Sequence, residues 1–259
     1  MFDVDGTLVD SERDGHRVAF NRAFQEAGLS DRWDVERYGE LLQIAGGELR
    51  INAHLERQGM PEGERKELAR WLHARKTAIF TAMAKQGEIK ARPGAGELLC
   101  ELQDDGVRLA VATTGSGAWV HPLLERLFGT GRFEVIVTAD EAPVRKPDPS
   151  AHRLALAQLR LAASGAAAVE DSRNGLRAAK AAGLACVVVV NDYTRQEDFS
   201  DADLVLDGYG SPRACARVLS DPHALDPPGS LAPATLRRML AGAAARHADV
   251  VQGDRPPAP

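Results

Sequence analysis

The chain has 259 residues, 44% of them hydrophobic, which is enough for one large domain or a core carrying a smaller insert. A formal net charge of −5 excludes the broad basic footprint of a nucleic-acid binder, so an anionic ligand must be met by local positive charge. Three cysteines without metal-like spacing argue against a disulfide framework, and no run approaches the roughly 18 apolar residues of a membrane span.

In chain order, the first candidate element is a short strand ending at Asp3. The opening MFDVDGT has neither a basic region nor an apolar signal core, so a cytoplasmic protein is the expectation. Residues 12–86 lack strand-like runs. Val18, Ala19, Ala23 and Phe24 keep helical spacing, as do Leu68, Leu72, Ile79 and Phe80, which predicts a helical insert directly after the first strand. At Arg92-Pro93-Gly94 an α/β pattern resumes, with Pro93 suited to a helix's first turn. Apolar, β-branched runs then occupy 107–113, 133–138, 166–170, 185–190 and 203–206, alternating with helical patterns at 118–128, 150–161 and 174–182. Gly183 stands where a helix C-cap glycine belongs, and Cys186 in its valine run reads as a small buried hydrophobe.

Strands this apolar, separated by helices, predict a parallel sheet covered on both faces. The fold class is therefore α/β, a Rossmann-like core with an inserted helical cap. Its expected parts are a discontinuous core of residues 1–11 and 87–210, a cap of 12–86, and an extension of 211–259. Asp226-Pro227-Pro228-Gly229 is linker-like and Arg255-Pro256-Pro257 predicts a frayed end, so the extension is expected to be partly disordered, with one alanine-rich helix over 231–245.

Sites in such folds gather at the carboxyl ends of the strands, and four fragments fall there. In Asp3-Val4-Asp5-Gly6-Thr7-Leu8-Val9-Asp10-Ser11, aspartates at i and i+2 share one side of a strand and Gly6 permits a sharp turn. One carboxylate can attack phosphorus while its neighbour handles protons. Thr113-Thr114-Gly115-Ser116 offers hydroxyl and backbone donors to a phosphoryl oxygen. Arg145-Lys146-Pro147-Asp148-Pro149 holds a lysine in a proline-stiffened loop. Glu170-Asp171 ends an apolar strand, where adjacent acids are costly unless paired or metal-bound, and hard oxygen ligands suit Mg²⁺. Singly, each fragment has an ordinary structural reading: a solvated turn, a strand threonine, a surface lysine, a helix cap.

Together and in this order, the four fragments resemble the motifs of the haloacid dehalogenase superfamily of phosphohydrolases, and the resemblance runs from residue 1 to about 210. It implies that Asp3 is the nucleophile that forms an aspartyl phosphate and that Asp5 is the general acid and base. It also implies that Thr113 and Lys146 hold phosphoryl oxygens, with Thr114 a substrate-binding residue. The cofactor it implies is Mg²⁺, held by Asp3, the Asp5 backbone carbonyl and Asp171, with Glu170 nearby.

Cap and core together resemble the CbbY-like sugar-bisphosphate phosphatases, through Trp33-Asp34-Val35-Glu36-Arg37-Tyr38, Lys76-Thr77 and Tyr193-Thr194-Arg195. That resemblance implies a small-molecule substrate, xylulose 1,5-bisphosphate, with no nucleic-acid or membrane partner and a monomeric state. Glu12 and Tyr38 are candidates for contact with the sugar, Glu12 equally a hinge-side surface residue and Tyr38 equally a packing residue of the cap, while Arg50 and Lys76 are expected near the second phosphate. Glu48 departs from the lysine that relatives carry in this stretch, which reverses a charge where a cap facing phosphate wants cations. Relatives also carry several apolar residues before the first aspartate, where only Met1 and Phe2 stand here. The expectation is a natural start upstream of Met1. A β-phosphoglucomutase-like phosphomutase shares all four motifs, a broad-specificity sugar-monophosphate or phosphoglycolate phosphatase is a further alternative, and a non-catalytic binding protein on the same fold is the alternative of a different class.

Overall fold

A computed structural model of the chain describes residues 1–44, 46–211 and 214–253. A π-helical turn over Glu12–His16 opens the helical segment, followed by α1 (Arg17–Glu26), α2 (Val35–Leu41), α3 (Gly47–Arg57) and the long α4 (Glu62–Gln86). The core then continues with α5 (Ala95–Asp104), β1 (Ala110–Ala112), α6 (Gly117–Phe128), β2 (Val135–Val137), α7 (Ser150–Leu159) and β3 (Ala167–Glu170). After these come α8 (Arg173–Ala181), β4 (Ala185–Val189), β5 (Leu204–Leu206), β6 (Val218–Ser220) and α9 (Pro233–Gly253).

The sheet is an α/β sheet of the Rossmann type. β1 pairs parallel with β2, β3 with β4, and β4 with β5. Residues 1–3 join the two halves. Phe2 bridges Val111 on one side and Val169 on the other, with Phe2 N–H donating to the Ala110 carbonyl and Asp3 N–H to that of Val169. This makes the N-terminal segment the centre of the sheet and explains why Phe2 and Val4 are buried. β4 is buried along its whole length, as a central strand with both faces covered must be.

The helical segment has its own aromatic core. Phe20, Phe24 and Trp33 pack together with centroid separations of 4.8–6.4 Å, and α4 packs on both α1 and α3. The strands are shorter than the apolar runs, because ladder pairing stops before the flanking residues. No helix among the described residues is long and apolar enough to cross a membrane.

The tail departs from the linker-like reading. β6 pairs antiparallel with β5, and Leu225, Leu231, Leu236 and Met239 are buried. The extension thus packs into the core through Leu225, Leu231, Leu236 and Met239, and its helix starts at Pro233 rather than 231. The prolines mark turns between packed pieces, not a solvated linker. Arg255-Pro256-Pro257 lies outside the described residues.

Candidate active site

Asp3 ends the central strand segment, and a tight turn follows. Gly6 N–H donates to Val9 O at 2.8 Å and Val9 N–H to Val4 O at 3.1 Å. Gly6 has φ of +76°, and a Cβ there would stand 2.2 Å from Asp171 Oδ2. Only glycine meets both demands. Arg92 fastens the turn to β4, donating to Gly6 O and to the carbonyls of Val189 and Val190 at 2.5–2.8 Å.

The ends of β1, β3 and β4 and the loop after β2 converge on Asp3. Lys146 is buried with it, its Nζ 2.7 Å from Asp3 Oδ1 and 2.8 and 3.0 Å from the Glu170 oxygens. Ligand atoms of Asp3, Glu170 and Asp171 lie within 4.8 Å of one another. One ammonium therefore faces this acid cluster, and the carboxyls respond. Burial pushes Asp3 up to about 7, against the pull of Lys146. Burial and the charges of Asp3 and Glu170 push Asp171 well up. For Glu170, Lys146 and His152 outweigh burial and hold its carboxyl below the usual range. Surplus negative charge on hard oxygens is what a divalent cation relieves, and this donor set fits Mg²⁺.

Asp5 is turned away from that cluster. Its Oδ1 accepts from Ser11 and lies 3.4 Å from His16 Nε2, and those contacts outweigh burial and hold its carboxyl low. Thr113 is buried at the end of β1, its Oγ1 accepting from Gly115 N–H at 3.2 Å. Thr114 lines a cavity of about 440 Å³ together with Asp3, Asp5, Lys146, Glu170 and Asp171.

From the helical segment, Glu12 and Arg50 line the same cavity, whereas Tyr38 and Lys76 stand behind it. Tyr38 Oη donates to Glu12 Oε2 at 2.5 Å and accepts from Arg50 Nη1 at 3.2 Å. Lys76 Nζ is 3.0 Å from His16 Nδ1 and 4.8 Å from the Phe20 ring centroid. Burial pulls Lys76 down to about 8, partly offset by Glu12 and Asp5. Glu48 is exposed and outside the cavity lining. The charge reversal therefore does not face the cavity.

Sequence reasoning passed over several neighbours. His16 touches Asp5 and Lys76, and His152 Nε2 lies 2.9 Å from Glu170 Oε1. Thr7 and Asn191 bond Asp171, and Arg145 lines the cavity. Arg145, adjoining the expected Lys146, was open to a local reading. The others reveal themselves only through the tertiary fold.

The model of a haloacid dehalogenase-like hydrolase matches residues 1–183. Among curated relatives, the CBBY-like protein of Arabidopsis thaliana is 42% identical over 220 residues, covering 82% of this chain and 69% of its own. Protein CbbY of Cereibacter sphaeroides is 44% identical over 213 residues, covering 81% and 91%. The crystal structure of CbbY from Rhodobacter sphaeroides in complex with phosphate is 43% identical, with a TM-score of 0.66 over 80% of this chain and 92% of that one. A mutant of the same protein, crystallised with xylulose-(1,5)bisphosphate, is 42% identical with a TM-score of 0.66 and the same coverage. With its aspartate-bearing turn, lysine and paired acids converging beside the helical segment, the chain belongs to the haloacid dehalogenase-like hydrolase family, and within it to the CbbY-like phosphatases.

Proposed function

We propose that the protein is a Mg²⁺-dependent phosphatase that removes the 1-phosphate of xylulose 1,5-bisphosphate through an aspartyl-phosphate intermediate. The observation that carries this reading is the buried Asp3, hydrogen-bonded to Lys146 and set against Glu170 and Asp171 at the cavity floor. Asp3 attacks phosphorus, the phosphorus–oxygen bond to the sugar breaks, and Asp5 delivers a proton to the departing alkoxide. Asp5 then takes a proton from the water that hydrolyses the aspartyl phosphate, which returns Asp3 to its carboxylate. Asp3, Asp171 and the Asp5 carbonyl would hold Mg²⁺, with Glu170 beside it, and the ion supplies charge neutralisation between Asp3 and the phosphoryl dianion. Thr113, Thr114 and Lys146 hold the phosphoryl oxygens.

The choice of a bisphosphate rests on the relative crystallised with one and on cations in the cavity wall. Arg50 and Arg145 both line it, and the Arg145 guanidinium makes no hydrogen bond or ion pair among the described residues, its backbone carbonyl alone accepting from Asp148 N–H. A guanidinium free to engage a second phosphate offsets the departure at Glu48. Tyr38 and Lys76 act from behind, holding Glu12 and His16 in place. The cysteines among the described residues are all free, in keeping with a cytoplasmic enzyme.

Phosphate release with Mg²⁺ from xylulose 1,5-bisphosphate, ribulose 1,5-bisphosphate, phosphoglycolate and β-glucose 1-phosphate tests the reading. We expect a strong preference for the first and a fall of about 10³-fold or more for Asp3→Asn. Even activity across the monophosphates would overturn the substrate, and full turnover by Asp3→Asn would overturn the mechanism.

A further inference from the structure

We infer that Asn191 is a positioning residue that aims Asp171 at the cation, an assignment that rests on the reading of Asp171 as a Mg²⁺ ligand. Asn191 follows the last residues of the valine-rich β4 strand and is buried, 9% exposed. Its Nδ2 donates to Asp171 Oδ2 at 2.7 Å and to Gly6 O at 3.4 Å. Its Oδ1 accepts from the N–H groups of Tyr193 at 2.9 Å and Thr194 at 3.2 Å. Its own N–H donates to Thr194 Oγ1 at 3.1 Å. With two N–H donors in front of the carboxamide oxygen, the amide can be placed only one way round, its NH₂ toward Asp171.

The two adjacent acids are thus served by different chemistry. Glu170 is held by the Lys146 ammonium on both oxygens and by His152. Asp171 receives neutral donors, Asn191 on Oδ2 and the Thr7 hydroxyl on Oδ1 at 3.2 Å. Neutral donors fix a carboxylate's rotation without cancelling its charge, and each oxygen keeps further acceptor capacity. Asp171 is therefore oriented yet still short of positive charge. Asn191 suits this task better than its alternatives. An aspartate would set a second carboxylate against Asp171, and a serine is too short to reach it.

The test is calorimetric titration of Mg²⁺ into the full chain and into Asn191→Ser and Asn191→Leu, without substrate. Serine keeps an oxygen for the turn's N–H groups and loses the donor to Asp171, whereas leucine loses both. We expect both variants to bind Mg²⁺ about tenfold more weakly or worse. At saturating Mg²⁺ the KM for the sugar phosphate should stay within about twofold, since the defect lies in loading the metal. Melting without Mg²⁺ checks that each variant is folded, and Asn191→Thr, with a hydroxyl at the same reach, replaces a serine variant that is not. Wild-type affinity in Asn191→Ser, whatever leucine does, would overturn the assignment, because the turn alone would then be what matters. A wild-type chain that binds no Mg²⁺ would overturn the phosphatase reading itself, and this assignment with it.

Discussion

Lys146 and Lys76 are both buried lysines, and their surroundings drive them in opposite directions. Around Lys146, Asp3 and Glu170 outweigh burial and raise its affinity for the proton. Lys76, packed among Phe20, Phe80 and His16, is pulled down by burial to about 8 from an ordinary 10.5. Below pH 8 the folded and unfolded chains both hold that proton, so the burial penalty is fully present. Between pH 8 and 10.5 the unfolded chain holds a proton the folded one has released, and stability gains up to about 1.4 kcal/mol per pH unit from this group. Urea unfolding across that window should therefore show a rise in the wild type that Lys76→Met lacks. Identical pH slopes for the two would show that Lys76 is not desolvated as described. At this scale the sequence was legible where chemistry is local. Asp3, Asp5, Lys146, Glu170 and Asp171 were legible because their fragments stand together in one order, and because the adjacent acids Glu170 and Asp171 end an apolar strand, where they are costly without a partner. Asn191, His16 and His152 were not, because an isolated asparagine or histidine is ordinary until the fold puts an acid beside it.

The π-helical turn over Glu12–His16 shows what an element adds to its residues. Its first residue faces the cavity and its last touches Asp5 and Lys76, so one turn connects the two sides of the site. Gly15 lies inside it against α4, and a Cβ there would stand 2.6 Å from Phe80 Cε2 and 2.8 Å from Ile89 Cδ1. Phe80 has little room to yield, with His16 at 3.8 Å and Trp119 at 5.0 Å between ring centroids. Gly15→Val is therefore expected to cost about 1–3 kcal/mol in overpacking, read as a lower urea midpoint with an unchanged slope. A midpoint equal to the wild type's would mean that the turn moves freely off α4. Elements were legible from the sequence where their pattern is self-contained, as in the apolar runs that became β1 to β5. β6 was not, since a strand whose three residues are all exposed exists only because β5 offers it an edge.

Among the described residues, the sheet and core are closed by the segment from β6 to α9. A chain ending at Gly210 would keep every residue that lines the active-site cavity, but β5 would lose its outer partner β6 while keeping β4, and the surfaces under Leu225, Leu231, Leu236 and Met239 would meet water. Each such side chain is worth about 1.5–3 kcal/mol when fully buried. We expect that truncated chain to melt lower by on the order of 10 °C and to be prone to association through the bared strand edge. An unchanged melting temperature would mean that the extension is not part of the core. A different consequence follows from the central place of residues 1–3. The strands that flank them begin only at Ala110 and Ala167. Contacts this distant in sequence form late, after the cost of closing long loops has been met. Asp3 therefore keeps the surroundings of an ordinary solvated aspartate until the far half of the protein has folded around it.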